Sequence, residues 1–488
     1  MLRNITRKEI IEIILDLRFT TVTLLCVVLI PLGMYISIKD YEQRFEDYRR
    51  AKQLYQKRYG KHIHSGLKAQ GFRPPSVLSV LSFGADPFIP DKVITSKDGL
   101  FQTAKETGIS NPQSLLFGRS DLLFNASFIL SLAALIFTFN CISGEKEKGT
   151  LRMMISNSIP RSRILLAKIV GNYLTLLIPL VISLLIGLII LDASPDISIF
   201  SSSFWPAFLV IVLITFLFVL AAVTLGICIS TLTHSSLTSI VMLLLVWVIF
   251  VLGIPKASPM IAQIAYPVES QGVVNLRKQI LMEDINSELW QRRRELFSRC
   301  MTTYGATLKT VPSTTPNTNA EKQAYAQYES EVLVLEREYQ KRTANELRKI
   351  DQDYRNKRNT QASIAINLSR ISPVSCYTYF VSNLSGTGVT AQDNFIKNAQ
   401  RFQDEVQKTV YDNFREMIYG GIGGHTSGKS YYVEGFNPDT VSFPEMHYQY
   451  STLVEVLQTG WIDILLLFLF NILFFLAAFM SFRKYDVR

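Results

Sequence analysis

An all-α polytopic membrane fold, with six transmembrane helices and a large, mainly helical extracytoplasmic domain formed by two insertions, follows from three features of the chain. Apolar residues are gathered into six separate blocks, basic residues flank alternate ends of those blocks, and two long polar stretches repeat aromatic residues at helical spacing. The 48% hydrophobic content over 488 residues, with a mean hydropathy of +0.20, is informative through this distribution. A block of about 20 apolar residues crosses the ~30 Å hydrocarbon core as a helix, which satisfies its own backbone on the way.

In chain order the blocks are 20–38, 122–142, 164–191, 206–230, 237–254 and 461–482. The first is long, contains Pro31 and runs into "KDYEQRF" with no small-residue cleavage site, so it reads as a retained anchor and not a signal peptide. Arg3, Arg7, Lys8 and Arg18 precede it; Lys146, Lys148, Arg152, Arg161 and Arg163 separate the second block from the third; Arg483, Lys484 and Arg488 follow the sixth. Basic clusters beside spans stay in the cytoplasm, and the loop "DASPDISIFSSSFW", with two Asp and no Lys or Arg, suits the other side. The expected plan is an interfacial helix and first span (1–38), an outer insertion (39–121), spans two to five (122–254), a second outer insertion (255–457), and a sixth span with a cytoplasmic tail (458–488). Single-cysteine labelling with an impermeant reagent should reach Lys57 and Lys341 positions from outside, and the Lys148 position and both termini only from the cytoplasm. Labelling of position 341 only from the cytoplasmic side would overturn this topology.

The outer stretches carry helical periodicity. Tyr41, Phe45, Tyr48, Tyr55 and Tyr59 recur at steps of four and three, with Lys52 in the missing place; Tyr325, Tyr328, Val332, Leu335 and Tyr339, then Leu347, Ile350 and Tyr354, do the same within 321–358. One helix over that range is about 57 Å long, and the two stripes are expected to pack helix on helix. Residues 307–319, "TLKTVPSTTPNTN", read as a linker.

Several motifs invite chemistry that their context does not support. "GGHTSGKS" at 423–430 fits the phosphate-loop pattern, but no strand precedes it and "YYVEGFNPDTVSFPEM" follows where a helix should start, so it reads as a surface loop. His62 and His64 form a metal-type pair without a third ligand. Five Cys are too few for a disulfide scaffold; Cys300 and Cys376, both outside, are permitted to pair, but nothing brings them together. The net charge of +10 is spread over both sides and is no nucleic-acid footprint. Neither H-E-x-x-H, G-x-S-x-G nor a clustered carboxylate site is present, so no catalytic, cofactor or metal site is assigned and the chain does not read as an enzyme.

The inner loop "SGEKEKGTLRMMISNSIPRSR" is the longest segment between spans on the cytoplasmic side. Gly149 permits a sharp turn, Thr150 can cap a short helix, and Leu151, Met153 and Met154 lie beside Arg152 on it. Pro160 ends that helix, and Ser162 can cap the third span. At the N-terminus Thr6 and Glu9 have capping-box spacing.

The region "CISGEKEKGTLRMMISNSIPRSRILLAKIVGNYL" resembles the signature of ABC-type (type-2) exporter permeases. "LGICISTLTHSSLTSIVMLLLVWVIFVLGIP", "LSRISPVSCYTYFVSNLSGTG" and "FFLAAFMSFRKYDVR" extend the resemblance over nearly the whole chain, toward a subgroup with large outer insertions similar to gliding-motility and nitrous-oxide-reductase-maturation permeases. It is weakest over 275–360. The resemblance implies a coupling role for Glu145, Glu147, Gly149, Thr150, Leu151, Arg152, Met153 and Met154, docked on a separate ATPase that holds ATP and Mg. It also implies a second permease copy or paralogue, the bacterial inner membrane, and export. Lys429→Ala is accordingly expected to leave ATP turnover of an assembled complex unchanged; a loss like that from the ATPase's own phosphate-loop lysine would overturn the surface-loop reading.

No acidic or basic residue lies near the middle of a block, which removes the usual ion relay and favours ATP from a partner. Lys168 and Asp463, near block ends, are expected to snorkel to the interface. Two other readings remain: a non-transporting element that transmits motion to envelope proteins, suited to the roughly 200-residue second insertion, and an anchored receptor or structural protein with no ATPase.

Overall fold

A computed structural model describes residues 2–59, 68–96, 101–104, 121–156, 160–195, 197, 204–305, 319–420 and 444–484. The phosphate-loop look-alike at 423–430, the His62/His64 pair and nearly all of the 307–319 linker fall outside them. Among the described residues, six helical spans are long and apolar enough to cross a membrane: Leu17–Lys57, Leu122–Glu147, Arg161–Asp192, Phe204–Leu232, Ser236–Ala265 and Leu453–Lys484, numbered 1 to 6 below. A mainly helical polytopic fold is therefore observed, as the apolar blocks predicted.

Span 4 is the centre of the bundle. Its Ile211, Phe218, Val219 and Ile227 are buried among spans 2, 3 and 6. Span 2 approaches it so closely that a Cβ on Gly226 would overlap the Thr138 hydroxyl. Spans 5 and 6 bury the smallest shares of their apolar windows, 17% and 22%, which leaves their outward faces to lipid or to another chain.

Two spans contain π-helical stretches, Asn125–Leu130 in span 2 and Ile249–Gly253 in span 5. A wider helical turn displaces backbone carbonyls that a dry environment cannot leave unpaired. Side chains complete them here: Ser131 Oγ donates to the carbonyls of Ser127 and Phe128, and Ser372 Oγ donates to the Phe250 carbonyl at 2.6 Å. Trp247 Nε1 donates to Ser131 Oγ at 2.8 Å and ties the two bulged spans together.

Ser372 also caps the helix Pro373–Leu384, accepting from Val374 N. This helix belongs to the second insertion, yet it enters the bundle as a wedge. Tyr377 is fully buried, its ring stacked on Phe218 at 4.6 Å and its hydroxyl 3.1 Å from Thr215 Oγ1 in span 4. Arg370, just before the wedge, grips Asp463 of span 6 through two bonds of 2.7 and 3.0 Å. Asp463 is 1% exposed, so it does not snorkel; its charge is neutralised where it stands.

The two insertions build one α/β unit on this end of the bundle. Strands β1 (Lys68–Phe72), β2 (Lys92–Ser96) and β3 (Phe101–Ala104) form an antiparallel sheet in that order, with Phe72 opposite Lys92 and Ile94 opposite Gln102. Helix Thr390–Gly420 covers it, packing Phe395, Phe402 and Val406 on Ala69, Ile89 and Val93. An ionic knot joins unit to bundle: Asp86, 3% exposed, accepts from Arg44 of span 1 and from Arg73, both at 2.7 Å.

The aromatic stripes are helical, and among the described residues each packs on a different partner. The first lies on the single helix Leu17–Tyr59, where Tyr41, Phe45 and Tyr48 stack in sequence and Tyr55 meets Phe72 of β1 edge-on. The second lies on the 51-residue helix Asn319–Ser369, which packs on Gln271–Thr303 as a long hairpin. Phe297, Cys300 and Met301 close that hairpin on Ala324, Tyr328 and Val332. Further along, Tyr339 and Arg342 hydrogen-bond Glu288 and hold its carboxyl below the ordinary range. Cys300 and Cys376 are both free thiols, in the hairpin and the wedge respectively, so the permitted disulfide does not form.

Candidate coupling site

At the end of the bundle opposite the sheet, the loop between spans 2 and 3 gathers nearly every other span. Its first half, the short helix Ser143–Glu147, continues span 2. Ser230 Oγ of span 4 accepts from the backbone N–H groups of Ile142 and Ser143, both at 3.0 Å, and satisfies donors a helix start leaves open. Lys146 Nζ donates to the carbonyls of Thr231 and Thr233, where a cation complements the end of a helix.

Glu145 and Glu147 diverge. Glu147 Oε2 accepts from the Ser236 N–H at 3.0 Å, at the start of span 5, where an acidic group is favoured. Glu145 instead turns inward to Lys168 of span 3, at 2.8 Å, and the same ammonium meets Glu9 of the N-terminal helix Leu2–Ile14 at 2.9 Å. Lys168 lies about 10 Å along its helix and its side chain is 2% exposed. The expectation that it snorkels is wrong: two carboxylates from different elements converge on it, and pairing in place costs less than dragging the chain to water. Glu145 Oε2 is buried without a hydrogen-bond partner among the described residues.

The same contacts correct three local readings. Helix Leu2–Ile14 begins four residues before Thr6, so Thr6 and Glu9 form no capping box and Glu9 is spent on Lys168. Ser162 lies inside span 3, whose N-cap is Pro160. Thr150 starts the helix Thr150–Ser156 from within and donates its hydroxyl to the Glu145 carbonyl at 3.4 Å.

Gly149 does make the turn, with φ +70 and nothing within 4 Å of where a Cβ would stand, so it is needed for its backbone and not for space. Beyond it, Leu151 is fully buried, Met154 is half-buried against the bundle core, and Met153 is 72% exposed. Only Met153 of the methionine pair projects from the surface; the Arg152 side chain is outside the described residues. Arg161 completes the hub with bonds to the carbonyls of Phe482 (3.2 Å) and Arg483 (2.6 Å) at the end of span 6.

Of the residues that build this hub, Ser230 was not singled out from sequence, while Glu9, Lys168 and Arg161 were read there only as a capping-box acid, a snorkelling cation and a member of a basic cluster. Lys168 had a legible signal, since an ionisable residue inside an apolar run has a named partner by default. Ser230 had none, because a serine in a span looks the same whether or not it faces a neighbouring helix end.

Six helices long and apolar enough to cross a membrane, most of them tied together through one ion-paired loop, define a multi-pass membrane protein. The chain belongs to the ABC-2 family: the model of the ABC-2 family transporter protein matches residues 3–487. It is thus a permease component of an ABC transporter, in a family whose members generally work with a cytoplasmic ABC ATPase and dimerise. The match is at family level and singles out no subgroup. No curated protein shows significant similarity to the chain.

Proposed function

We propose that this permease is the membrane half of an ATP-driven exporter in a bacterial inner membrane, with both termini and the loop 143–163 in the cytoplasm, and that a separate ATPase docks on that loop. Glu145, Glu147, Gly149, Thr150, Leu151, Arg152, Met153 and Met154 form the coupling element. The observation that carries the reading is the Glu9–Lys168–Glu145 triad, because it joins the loop to span 3 and to the N-terminal helix by charge-assisted bonds. Motion delivered at Met153 then has rigid routes into spans 3, 4 and 5 through Lys168, Lys146 and Glu147.

Partner capture tests this directly. A photoreactive residue at Met153 should cross-link a co-purifying ATPase, whereas the same residue at Val334, exposed on the hairpin, should not. Cross-linking at neither position, in membranes where the ATPase is present, would sink the proposal.

The hairpin supports a second reading, motion transmitted to an envelope protein without transport. Its 51-residue helix ends at Ser369, and Arg370 immediately beyond grips Asp463 of span 6, so a rotation of that span would be amplified along about 75 Å. ATP-dependent movement of the hairpin without any substrate flux would favour it.

A further inference from the structure

The helix Leu2–Ile14 turns two unlike faces to its surroundings. One side lies on span 3, where a Cβ on Gly171 would stand 3.0 Å from the Glu9 Cβ and 3.7 Å from the Thr6 carbonyl oxygen. The missing side chain lets the helix close on the span, and Glu9 reaches Lys168 from there. At ~100° per residue, Arg3, Arg7, Ile11 and Ile14 fall within about 80° of one another, on the side opposite Glu9. All four are exposed, as is Lys8 beside the stripe, and Glu12 lies further round, past Lys8. At the bend that follows, Leu15 and Leu17 are 80% and 78% exposed. Arg3 and Arg7 have no carboxylate partner among the described residues, whereas Arg18 is paired with Asp16 and Lys168 with Glu9 and Glu145.

The level of the helix identifies what this face meets. Span 3 has 32 residues and is about 48 Å long, so a centred span extends about 9 Å past each side of the ~30 Å hydrocarbon core. Lys168, about 10 Å from the start of span 3, and the helix that lies on it therefore stand at the boundary between acyl chains and headgroups. The exposed stripe also runs on in sequence to Leu24, Leu25 and Val28, exposed on span 1.

Cations and bare aliphatic side chains on one face are what an interfacial helix presents to lipid: acyl chains cover the apolar residues, and anionic headgroups neutralise the cations. An acidic protein surface would match Arg3 and Arg7 but set Ile11, Ile14, Leu15 and Leu17 against polar groups. An anionic bilayer surface satisfies both.

We infer that the outward face of this helix binds anionic phospholipid, with headgroup phosphates at Arg3 and Arg7 and acyl chains along Ile11, Ile14 and Leu15, and that the contact holds the helix on span 3. Lipid on one face thus keeps Glu9 at Lys168 on the other. The binding requires neither an ATPase nor a particular orientation in the membrane, so its test and that of the proposed function fail independently.

Native mass spectrometry of the purified permease, titrated in detergent with phosphatidylglycerol or phosphatidylcholine, measures the binding. Phosphatidylglycerol should bind more tightly. The pair Arg3→Gln and Arg7→Gln should weaken it about twenty-five-fold, a factor of ~5 for each cation at a membrane surface, and leave phosphatidylcholine binding unaltered. Arg3→Lys with Arg7→Lys keeps the charge and should keep the preference. Hydrogen exchange in nanodiscs reads the effect on the helix: amides of residues 2–14 should be better protected when phosphatidylglycerol is mixed into phosphatidylcholine, and the glutamine pair should lose that protection. Equal affinity for the two lipids, a lysine pair as impaired as the glutamine pair, or exchange at 2–14 that is indifferent to phosphatidylglycerol would overturn the inference.

Discussion

Lys168→Met is expected to destabilise the protein by roughly 3–5 kcal/mol, the usual cost of removing one partner from a buried ion pair. The substitution leaves Glu9 and Glu145 facing each other, with side chains 11% and 22% exposed and no cation between them. Thermal unfolding in detergent, read by fluorescence-detected size exclusion, should fall sharply. The companion variant carries Glu9→Gln and Glu145→Gln as well. It removes the charges as a set, and neutral replacement of a buried ionic group is often tolerated, so most of the thermal stability should return. If the triad transmits motion, the stable triple variant should still hold its ATPase but lose the influence of the permease on ATP turnover. A single Lys168→Met that melts like the unmodified protein would show that the triad contributes no net stability; a triple variant with unaltered turnover would remove it from the coupling route.

Met153→Asp should cost the complex its ATPase. Met153 is 72% exposed on the loop helix, and methionine is suited to filling a partner's groove. A carboxylate there would be desolvated on docking; at ~3 kcal/mol the affinity falls more than a hundredfold, enough to lose the subunit on purification. Replacing Met154 at the same time, attractive while both residues look equivalent, would confuse the result. Met154 packs on the bundle core, so its change damages the permease itself. The single variant should insert and melt normally, and ATPase recovered at normal stoichiometry would remove Met153 as an anchor.

The sheet and the wedge mark where sequence reasoning stopped. The strands are four or five residues long, and β2, "KVITS", buries Val93 and Thr95 while Ile94 is half-buried. Alternation over five residues is too brief to stand out beside long helical repeats. The wedge "PVSCYTYFVSNL" carries part of the family resemblance, but at 12 residues it is shorter than a span and its depth could not be read. Within the coupling site, Gly149 was legible because a positive φ is a demand on one residue. The inward turn of Glu145 was not, because Glu145 and Glu147 are chemically identical and differ only in what the fold sets beside them.

Hydrophobic runs, their lengths and the placement of basic residues were sufficient for six spans, since the bilayer acts on each segment separately and every helix closes its own backbone hydrogen bonds. Helical stripes in the outer segments were legible for the same local reason. Which stripe meets which helix, where Lys168 and Asp463 find their counter-charges, and which methionine faces outward depend on contacts between residues as far apart as Glu9 and Lys168 or Arg370 and Asp463. No window along the chain contains both members of such a pair. Their energy appears only when packing removes both from water together, so those features were settled by the assembled bundle.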